Sequence, residues 1–191
     1  MVELISHTQD YDKVLCKAIS QCYQKEATNK VLRHCIEAGH LSVLEHASAT
    51  FELTCSIQTL LQLSRHRHFS MTVQSSRGTV LQESLKVDND KLQHLINEQV
   101  ANYVNCNIGE DISNEERALL APKAMMYRLV ITGNLRAWYE YLPKRLCKRA
   151  QKEHRELAQQ IKDKLAIAFP IVFNRDFLNC AQCKERTCSF D

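Results

Sequence analysis

The sequence predicts an α/β protein of the α+β type, in which long helices flank a mixed or antiparallel sheet. Apolar residues recur at helical spacing over 10–38, and "ASATFELTC" alternates between apolar and polar residues as a half-buried strand does. A second strand pattern, "MYRLVIT", precedes a helix cap. With 191 residues but only 4 Gly and 3 Pro, the chain predicts short loops. It also predicts one domain over 1–191, of which about 175–191 is a Cys-containing C-terminal tail.

The first half of the chain is predicted to run from helix to strand to short helix. The helical spacing over 10–38 ends at Gly39, and glycine is the residue type that most often closes a helix. One side of the strand that follows carries the apolar residues Ala49, Phe51, Leu53 and Cys55. Ser56 is placed to cap a short helix with Ile57, Leu60 and Leu61 on its apolar side. That helix leads directly into the basic segment RHRH.

The next part of the chain is predicted to be extended and then helical. Residues 71–80 form a polar segment that suits a second strand. Helical spacing then relates Leu92, Leu95, Ile96, Tyr103 and Val104. Ser113 and Glu116 have the spacing of a capping box, and Pro122 stops the short helix that they begin.

The last strand is predicted to lead into a long final helix. "MYRLVIT" ends at the turn dipeptide Gly133-Asn134. Asn134 has the residue type of a helix cap, so the final helix is predicted to begin there and to bend near Pro143.

Composition narrows the class of protein. The net charge of +3 permits an anionic ligand but does not suggest a protein that coats nucleic acid. No apolar run approaches the roughly 20 residues needed to span a bilayer, and the first residues lack the pattern of a signal peptide. We therefore expect a cytoplasmic protein, in the host cytoplasm if it is viral. We expect its nine cysteines to be reduced thiols, since an odd and scattered set is a poor disulfide framework.

The segment RHRH, residues 65–68, allows three interpretations. A run of basic residues is most often a solvated surface cluster, and it can also contact nucleic acid or line a phosphate pocket. Aromatic residues make up only 7% of the chain and do not alternate with the basic ones, so no base-stacking surface is visible. Neither nucleic acid nor a membrane is therefore an expected partner.

The longer motif around this segment resembles that of a known family. "RHRHFSMTVQSSR" contains Arg-His-Arg, seven residues and Ser, which is similar to the signature of the flavin-dependent thymidylate synthases. Upstream, "AGHLSVLEHASATFEL" looks like the stretch that leads into this signature in the family. Downstream, residues at matching intervals are Pro122, Arg128, Thr132, Asn134, Arg136, Arg145, Ala150, Gln151 and Glu153. The resemblance covers roughly 32–86 and 119–165.

The resemblance implies an enzyme, a methyltransferase that converts dUMP to dTMP. Methylenetetrahydrofolate would supply the carbon, FAD would be the redox cofactor and NADPH the reductant, and no protein nucleophile would be needed. The family also implies a homotetramer with active sites shared between chains. Two alternatives remain open: a relative acting on another pyrimidine nucleotide, by dCMP methylation or hydroxymethylation, and a non-catalytic relative that binds nucleotides or nucleic acid.

The family's site residues carry over by position. The resemblance implies that flavin contacts Ser42, Arg65, His66, Arg67, Asn134 and Arg136. The nucleotide would contact Gln62, Arg65, Ser75, Ser76, Arg77, Arg117 and Arg145. Arg145 would be the catalytic residue, which stabilises negative charge on the pyrimidine ring. Serine hydroxyls beside an arginine suit a phosphate, because they combine hydrogen-bond donors with a fixed positive charge. A helix start at Asn134 suits an anionic or electron-rich group.

Several positions depart from the family pattern. Thr72 stands where the family usually has Asn, and Val73 stands where it has Glu or Gln. Gly78 stands where the family usually has Tyr. Glu140 stands where an Asn often contacts flavin, and it would place a carboxylate there. These changes leave the identity of the pyrimidine nucleotide open.

The cysteines predict neither a metal site nor a catalytic nucleophile. Cys180 and Cys183 have the spacing of half a zinc site, but the second pair is missing. Cys16, Cys22, Cys35 and Cys55 lie on apolar stripes and are predicted to be core residues. Cys147 has Arg145, Lys148 and Arg149 as sequence neighbours and is the one candidate nucleophile that is not dismissed on charge, but helical geometry would point it away from Arg145.

Overall fold

A computed structural model describes residues 1–106, 112–184 and 188, and it contains four strands and eight α-helices within that part of the chain. The strands are β1 (Val2–His7), β2 (Ser48–Ser56), β3 (Ser70–Val73) and β4 (Met126–Asn134). The helices are α1 (Tyr11–Tyr23), α2 (Asn29–Glu37), α3 (Ile57–Leu63), α4 (Asp90–Val104), α5 (Asn114–Ala118), α6 (Leu135–Leu146), α7 (Lys152–Ala168) and α8 (Pro170–Phe173). Short 3-10 helices cover Leu41–His46 and Cys180–Gln182.

The four strands form one antiparallel sheet in the order β1-β2-β4-β3. In the β2–β4 pair, the hydroxyls of Thr50 and Thr132 lie 2.9 Å apart. Next to β3, the Gln74 N–H donates to the Arg128 carbonyl at 2.8 Å. The predicted fold class, an α/β protein with an antiparallel sheet and flanking helices, is confirmed.

The chain forms two compact units. Unit 1 comprises Met1, Glu52–Arg65 and Met71–Val130. Unit 2 comprises Val2–Phe51, His66–Ser70 and the chain from Ile131 onward. One domain over 1–191, with a tail from about 175, stays a prediction.

Unit 2 has an aromatic core in which α6 packs against α7. Trp138 of α6 is completely buried, and its ring meets the edge of Phe51 with centroids 5.1 Å apart. The indole N–H of Trp138 donates to the Ala49 carbonyl at 3.2 Å, so this large side chain is buried without an unsatisfied donor. The rings of Phe169 and Phe173 extend the core along α8. Helix α6 is thereby held by packing along its buried face.

Unit 1 packs around α4 and the strand ends. Tyr103 of α4 is 1% exposed, and its hydroxyl accepts a hydrogen bond from the Leu81 N–H at 3.2 Å. Leu53, Leu63 and Leu129 complete the apolar interior. The predicted helix over Leu92–Val104 is confirmed, but Leu92 and Leu95 are about half exposed rather than core residues.

Several predicted helix ends are confirmed. Gly39 has φ +80° after α2, the left-handed conformation that favours glycine. Ser56 caps α3 by accepting from the Thr59 N–H, and the Ser113–Glu116 capping box is complete at α5. Asn134 caps α6 by accepting from the Ala137 N–H at 2.8 Å.

Other elements differ from the sequence prediction. The helical stretch 10–38 is two helices, because Gln24 takes a left-handed conformation that ends α1. The final helix is likewise divided: α6 ends at Leu146, and α7 begins at Lys152. Of the predicted extended segment 71–80, only 71–73 belong to a strand, β3, and β1 was not predicted at all.

The nine cysteines are all free thiols. Cys35 and Cys55 are buried, as predicted for core residues. The prediction is wrong for Cys22, which is exposed, and Cys16 is only half-buried. Both residues lie on α1. The buried face of this helix is therefore narrower than the apolar spacing of its sequence predicts.

Candidate active site

The segment His66–Ser70 of unit 2 is anchored by Phe69. The Phe69 ring is buried and lies 4.3 Å from the Trp138 ring, measured between centroids. It also covers Gly133, where a Cβ atom would collide with the Phe69 ring. The Phe69 N–H closes a turn by donating to the His66 carbonyl at 3.2 Å. This anchor holds His66 half-buried and leaves Arg67 and His68 exposed.

Arg145 and His66, both predicted site residues, are in direct contact. Arg145 lies in the last turn of α6, and its Nε–H donates to His66 Nε2 at 2.9 Å. The His66 ring also meets the Tyr141 ring edge-on at 5.0 Å. Burial, followed by the charges of Arg145 and Lys144, lowers the pKa of His66 to about 4. His66 is therefore neutral near pH 7, and burial lowers the pKa of the Arg145 guanidinium as well.

His154 of α7 lies behind this pair. It is completely buried, and its ring centroid is 5.8 Å from that of Tyr141. Neither of its ring nitrogens has a hydrogen-bond partner among the described residues. Burial, then Arg145 and His66, lower the pKa of His154 to about 3. An imidazolium would be costly here, so a neutral ring lies on the buried side of the site.

Asn134 and Arg136 stand together at the start of α6, as predicted. Asn134 is the cap residue described above. Arg136 forms two ion pairs, from Nε to Glu140 at 2.8 Å and from Nη1 to Glu45 at 2.6 Å. These carboxylates raise the pKa of the Arg136 guanidinium. A cavity of about 190 Å³ is lined by Glu45, His68, Asn134, Arg136, Ala137 and Glu140.

Ser42 lies in a different part of unit 2. It is exposed in the 3-10 helix Leu41–His46 and lines a cavity of about 280 Å³. The same cavity is bordered by His40 and His46, and its inner wall includes Cys35. Ser42 is thus placed beside a surface cavity, as a ligand-binding residue requires.

In unit 1, Ser75, Ser76 and Arg77 form one tight turn. The Ser75 Oγ accepts from the Gly78 N–H at 3.2 Å, and the Ser75 carbonyl accepts from the Thr79 N–H at 3.0 Å. The Ser75 hydroxyl can still donate its own proton. Arg77 reaches Glu115 at 3.5 Å with both side chains about 70% exposed, so this pair is weak and the guanidinium can be recruited by a ligand.

The remaining predicted nucleotide contacts lie in different surroundings of unit 1. Gln62 and Arg65 are at the end of α3, with Gln62 half-buried and Arg65 exposed. Arg117 is only 4% exposed. It donates to the Asn114 side chain at 2.9 Å and lies over the Tyr103 ring at 5.7 Å. Arg117 therefore contributes to the packing of α5, and a contact with nucleotide stays a prediction.

Cys147 does not occupy the helical position that the sequence predicts. It follows the last residue of α6 and has the extended backbone angle ψ 136°. The prediction that Cys147 lies on the face of a helix opposite Arg145 is therefore wrong, since α6 has already ended at Leu146. Among the described residues, no three His, Cys, Asp or Glu side chains are grouped so that they could hold a metal ion.

Sequence reasoning missed Tyr141, His154 and Glu45. His154 occupies the first position of an apolar stripe on α7 that continues through Leu157, Ala158, Ile161 and Leu165. A histidine at a core position of such a stripe was the available signal. Glu45 comes from a distant part of the chain and meets Arg136 only through the fold.

Comparison with known proteins assigns the chain to a family. The family model described as thymidylate synthase complementing protein matches residues 3–171. Flavin-dependent thymidylate synthases from Mycobacterium tuberculosis and Mycobacteroides abscessus are each 33% identical over 185 aligned positions. These matches cover 80% of this chain and 74% of each relative.

Solved structures agree with that assignment. Two crystal structures of thymidylate synthase X from Helicobacter pylori, both with FAD and dUMP, superpose with TM-scores of 0.80 and 0.81. The sequence identities are 24% and 25%, and the superpositions cover 90% and 93% of this chain and 96% and 99% of the others. The sequence match over most of the chain and the shared fold lead to one conclusion: the chain belongs to the thymidylate synthase complementing protein family, the family of the flavin-dependent thymidylate synthases.

Proposed function

We propose that this protein is a flavin-dependent thymidylate synthase that converts dUMP to dTMP. Methylenetetrahydrofolate donates the carbon, FAD is the redox cofactor and NADPH is the reductant. Family membership supports this activity, as do the FAD and dUMP in the related Helicobacter pylori structures. The observation that carries the proposal is the contact between Arg145 and neutral His66, which combines a partly buried cation with an imidazole among aromatic rings.

Arg145 is the proposed catalytic residue. Its guanidinium stabilises negative charge that develops on the pyrimidine ring, and this charge makes the ring carbon nucleophilic without attack by a protein thiolate. Partial burial strengthens the effect, because a cation interacts more strongly with a nearby charge where water is excluded. His66 accepts from the Nε–H of this guanidinium and so helps to fix its position.

The residues proposed to bind flavin are Ser42, Arg65, His66, Arg67, Asn134 and Arg136. Their chemistry fits the cofactor, which carries phosphates, hydroxyls and ring carbonyls that accept hydrogen bonds. Arg65 and Arg67 are exposed and can pair with anionic groups, whereas Asn134 and Arg136 line a cavity. When bound, flavin supplies the hydride and passes on the one-carbon unit; the protein supplies position and charge.

The residues proposed to bind the nucleotide are Gln62, Arg65, Ser75, Ser76, Arg77, Arg117 and Arg145. The turn at Ser75–Arg77 provides hydroxyl donors and a weakly paired guanidinium within three residues, which suits a phosphate. Arg117 is the least accessible of the set and would have to act through the packing of α5.

A homotetramer with shared active sites is also part of the proposal. Leu119 and Leu120 are adjacent in the chain and are 85% and 57% exposed, and a contiguous exposed apolar patch favours a subunit contact. Within the described ranges, no helix has both the length and the apolar character needed to cross a membrane. We propose a cytoplasmic location, and no nucleic-acid partner.

The test is a product assay with dUMP and dCMP in parallel, with methylenetetrahydrofolate, FAD and NADPH present. We expect dTMP from dUMP and no product from dCMP. Arg145→Ala should abolish most of the turnover, while Arg33→Ala, which removes an exposed guanidinium from α2, should not. Failure of the wild-type protein to bind FAD would refute the flavoenzyme assignment. Product from dCMP alone would instead reassign the substrate.

A further inference from the structure

The C-terminal segment 175–183 is attached to unit 2 by its first residues. The Phe177 ring meets the Tyr139 ring edge-on, with centroids 5.1 Å apart, and stacks on the Phe173 ring at 5.9 Å. Arg175 Nη1 donates to the Tyr139 hydroxyl at 2.7 Å. These contacts fix the base of the segment on α6 and α8, and its two cysteines lie just beyond them.

Cys180 and Cys183 are held at the two ends of one turn. The Cys183 N–H donates to the Cys180 carbonyl at 3.2 Å and closes the turn. Asn179 caps it, since its side chain accepts from the Gln182 N–H at 3.3 Å and donates to the Gln182 side chain at 2.8 Å. A turn closed in this way brings its first and fourth Cα atoms within about 7 Å, and a 3-10 turn places the two side chains on one face. A disulfide requires Cα atoms about 4.4–6.8 Å apart, so this turn suits one.

Both thiols of this turn are exposed, so a reagent in solution can reach them. The other cysteines are less suited to reaction as a pair. Cys35 and Cys55 are buried, and three more are half-buried: Cys16, Cys106 and Cys147. Cys22 and Cys188 are exposed, but neither has another cysteine three residues away.

A metal ion is the alternative ligand of a Cys-x-x-Cys pair. Structural zinc takes four protein ligands. The described residues contain no group of three His, Cys, Asp or Glu side chains that could hold a metal ion, so the turn lacks the further ligands. The two thiols are therefore available to react with each other.

We propose that Cys180 and Cys183 form a redox-active dithiol site, which undergoes exchange with low-molecular-weight disulfides such as oxidised glutathione. One protein thiolate attacks a sulfur of the glutathione disulfide, which breaks that S–S bond, forms a mixed disulfide and releases one glutathione. The second protein thiolate attacks the protein sulfur of the mixed disulfide and releases the other glutathione. The protein loses two electrons and two protons, and the two glutathiones gain them. An exposed disulfide is readily reduced, so the modification is reversible. The site is separate from the proposed activity, which uses no thiol.

The experiment treats the full chain with oxidised glutathione, blocks the remaining thiols by alkylation and maps the products by peptide mass spectrometry. In the wild-type protein, a disulfide should join Cys180 to Cys183 with little glutathione attached, and dithiothreitol should restore both thiols. Cys183→Ser removes the second attacking thiol. At least about tenfold more glutathione should then remain on Cys180, because attack from within one turn is intramolecular. Cys188→Ser removes an exposed thiol outside the turn and is the matched control, expected to behave as wild type.

Three outcomes would overturn the inference. The first is no reaction of the turn with oxidised glutathione, and the second is equal retention of glutathione on Cys180 in the wild type and in Cys183→Ser. The third is a disulfide between other cysteines, such as Cys22 and Cys35, which border the same cavity. Cys180→Ser repeats the test from the other end of the turn, with glutathione expected on Cys183. No readout depends on flavin or dUMP, so failure of the proposed function would leave this inference standing.

Discussion

The Nε–H of Arg145 donates to Nε2 of His66 across 2.9 Å, and this contact determines where the imidazole carries its proton. A guanidinium has only donors, so Nε2 must act as an acceptor and be unprotonated. The neutral His66 ring therefore carries its proton on Nδ1. The lowered pKa of His66, to about 4, agrees with this assignment.

His66 should therefore position Arg145 through its acceptor nitrogen. His66→Ala removes the acceptor, and a hydrogen bond to a charged group contributes about 1.5–3 kcal/mol. We expect turnover of dUMP to fall by about one to two decades. His66→Gln can place an acceptor oxygen near the position of Nε2 and should recover part of the loss. Equal turnover in the Gln and Ala variants, with equal flavin binding, would exclude this role; His34→Ala is the exposed control.

His154 should make the fold sensitive to acid. Its pKa is about 3 in the folded protein and about 6.5 when unfolded, so the unfolded chain binds the proton more readily. The neutral ring is favoured above pH 6.5, and this contribution is lost as the pH falls from 6.5 toward 3. Between pH 7.5 and 5, the free energy of unfolding should therefore fall by about 2 kcal/mol less in His154→Leu than in the wild type. Urea unfolding at both pH values measures this, and an unchanged decline would contradict it.

Gly133 should tolerate no side chain. A Cβ there meets the Phe69 ring, so Gly133→Ala should lower the free energy of unfolding by about 1–3 kcal/mol. In a Phe69→Leu background the side chain at position 69 is smaller, so Gly133→Ala should lower the free energy of unfolding by less. Urea unfolding of the two single variants and the double variant measures the coupling, and strictly additive effects would show that Phe69 is not the cause.

The turn at Ser75–Arg77 should determine nucleotide affinity. Ser75→Ala and Arg77→Ala should each raise the KM for dUMP by about tenfold or more, because each removes a hydrogen bond to an ionised group. FAD binding should be unchanged. Glu115→Gln removes the acidic partner of Arg77 and should not raise KM. If KM is normal in both the Ser75 and Arg77 variants, the phosphate binds elsewhere.

No cysteine should be required for catalysis. Cys147→Ser should retain near-normal turnover, because the proposed activation of the ring depends on Arg145 and not on a thiolate. The same is expected when Cys180, Cys183 and Cys188 are replaced together. Cys147→Ser that folds and binds FAD but makes no product would show that this thiol takes part.

The sequence predicted those elements whose signals are local. Alternation predicted β2, and the residue types at Ser56, Ser113 and Asn134 predicted three helix starts that the structure contains. The break between α1 and α2 was missed because Gln24 takes a left-handed backbone conformation without being glycine. Strand β1 was missed because its three large aliphatic residues, Val2, Leu4 and Ile5, do not alternate with polar ones in a simple pattern: Leu4 and Ile5 are adjacent, and Ile5 is 46% exposed.

The site was predicted through the resemblance, and its electrostatics were not. Arg136 and Arg145 were identified only by their spacing, which matches that of the family. By residue type alone they look like ordinary exposed basic residues. Their partners could not be predicted, since Glu45 and His66 lie 91 and 79 residues away along the chain and are brought close only by folding. The burial of His154 depends on how α7 packs, which local sequence does not determine.

Asn134 is at once the last residue of β4 and the cap of α6, so no loop separates that strand from that helix. Insertion of one residue at this junction would turn every α6 side chain by about 100° about the helix axis. Trp138 would then no longer point into the core. At the same time, Arg136 would lose its contact with Glu45, and Arg145 would lose its contact with His66. Substitutions can adjust this region one side chain at a time, whereas changes of length cannot. Natural variation in the length of this protein should therefore be absent at this junction and confined to other connections.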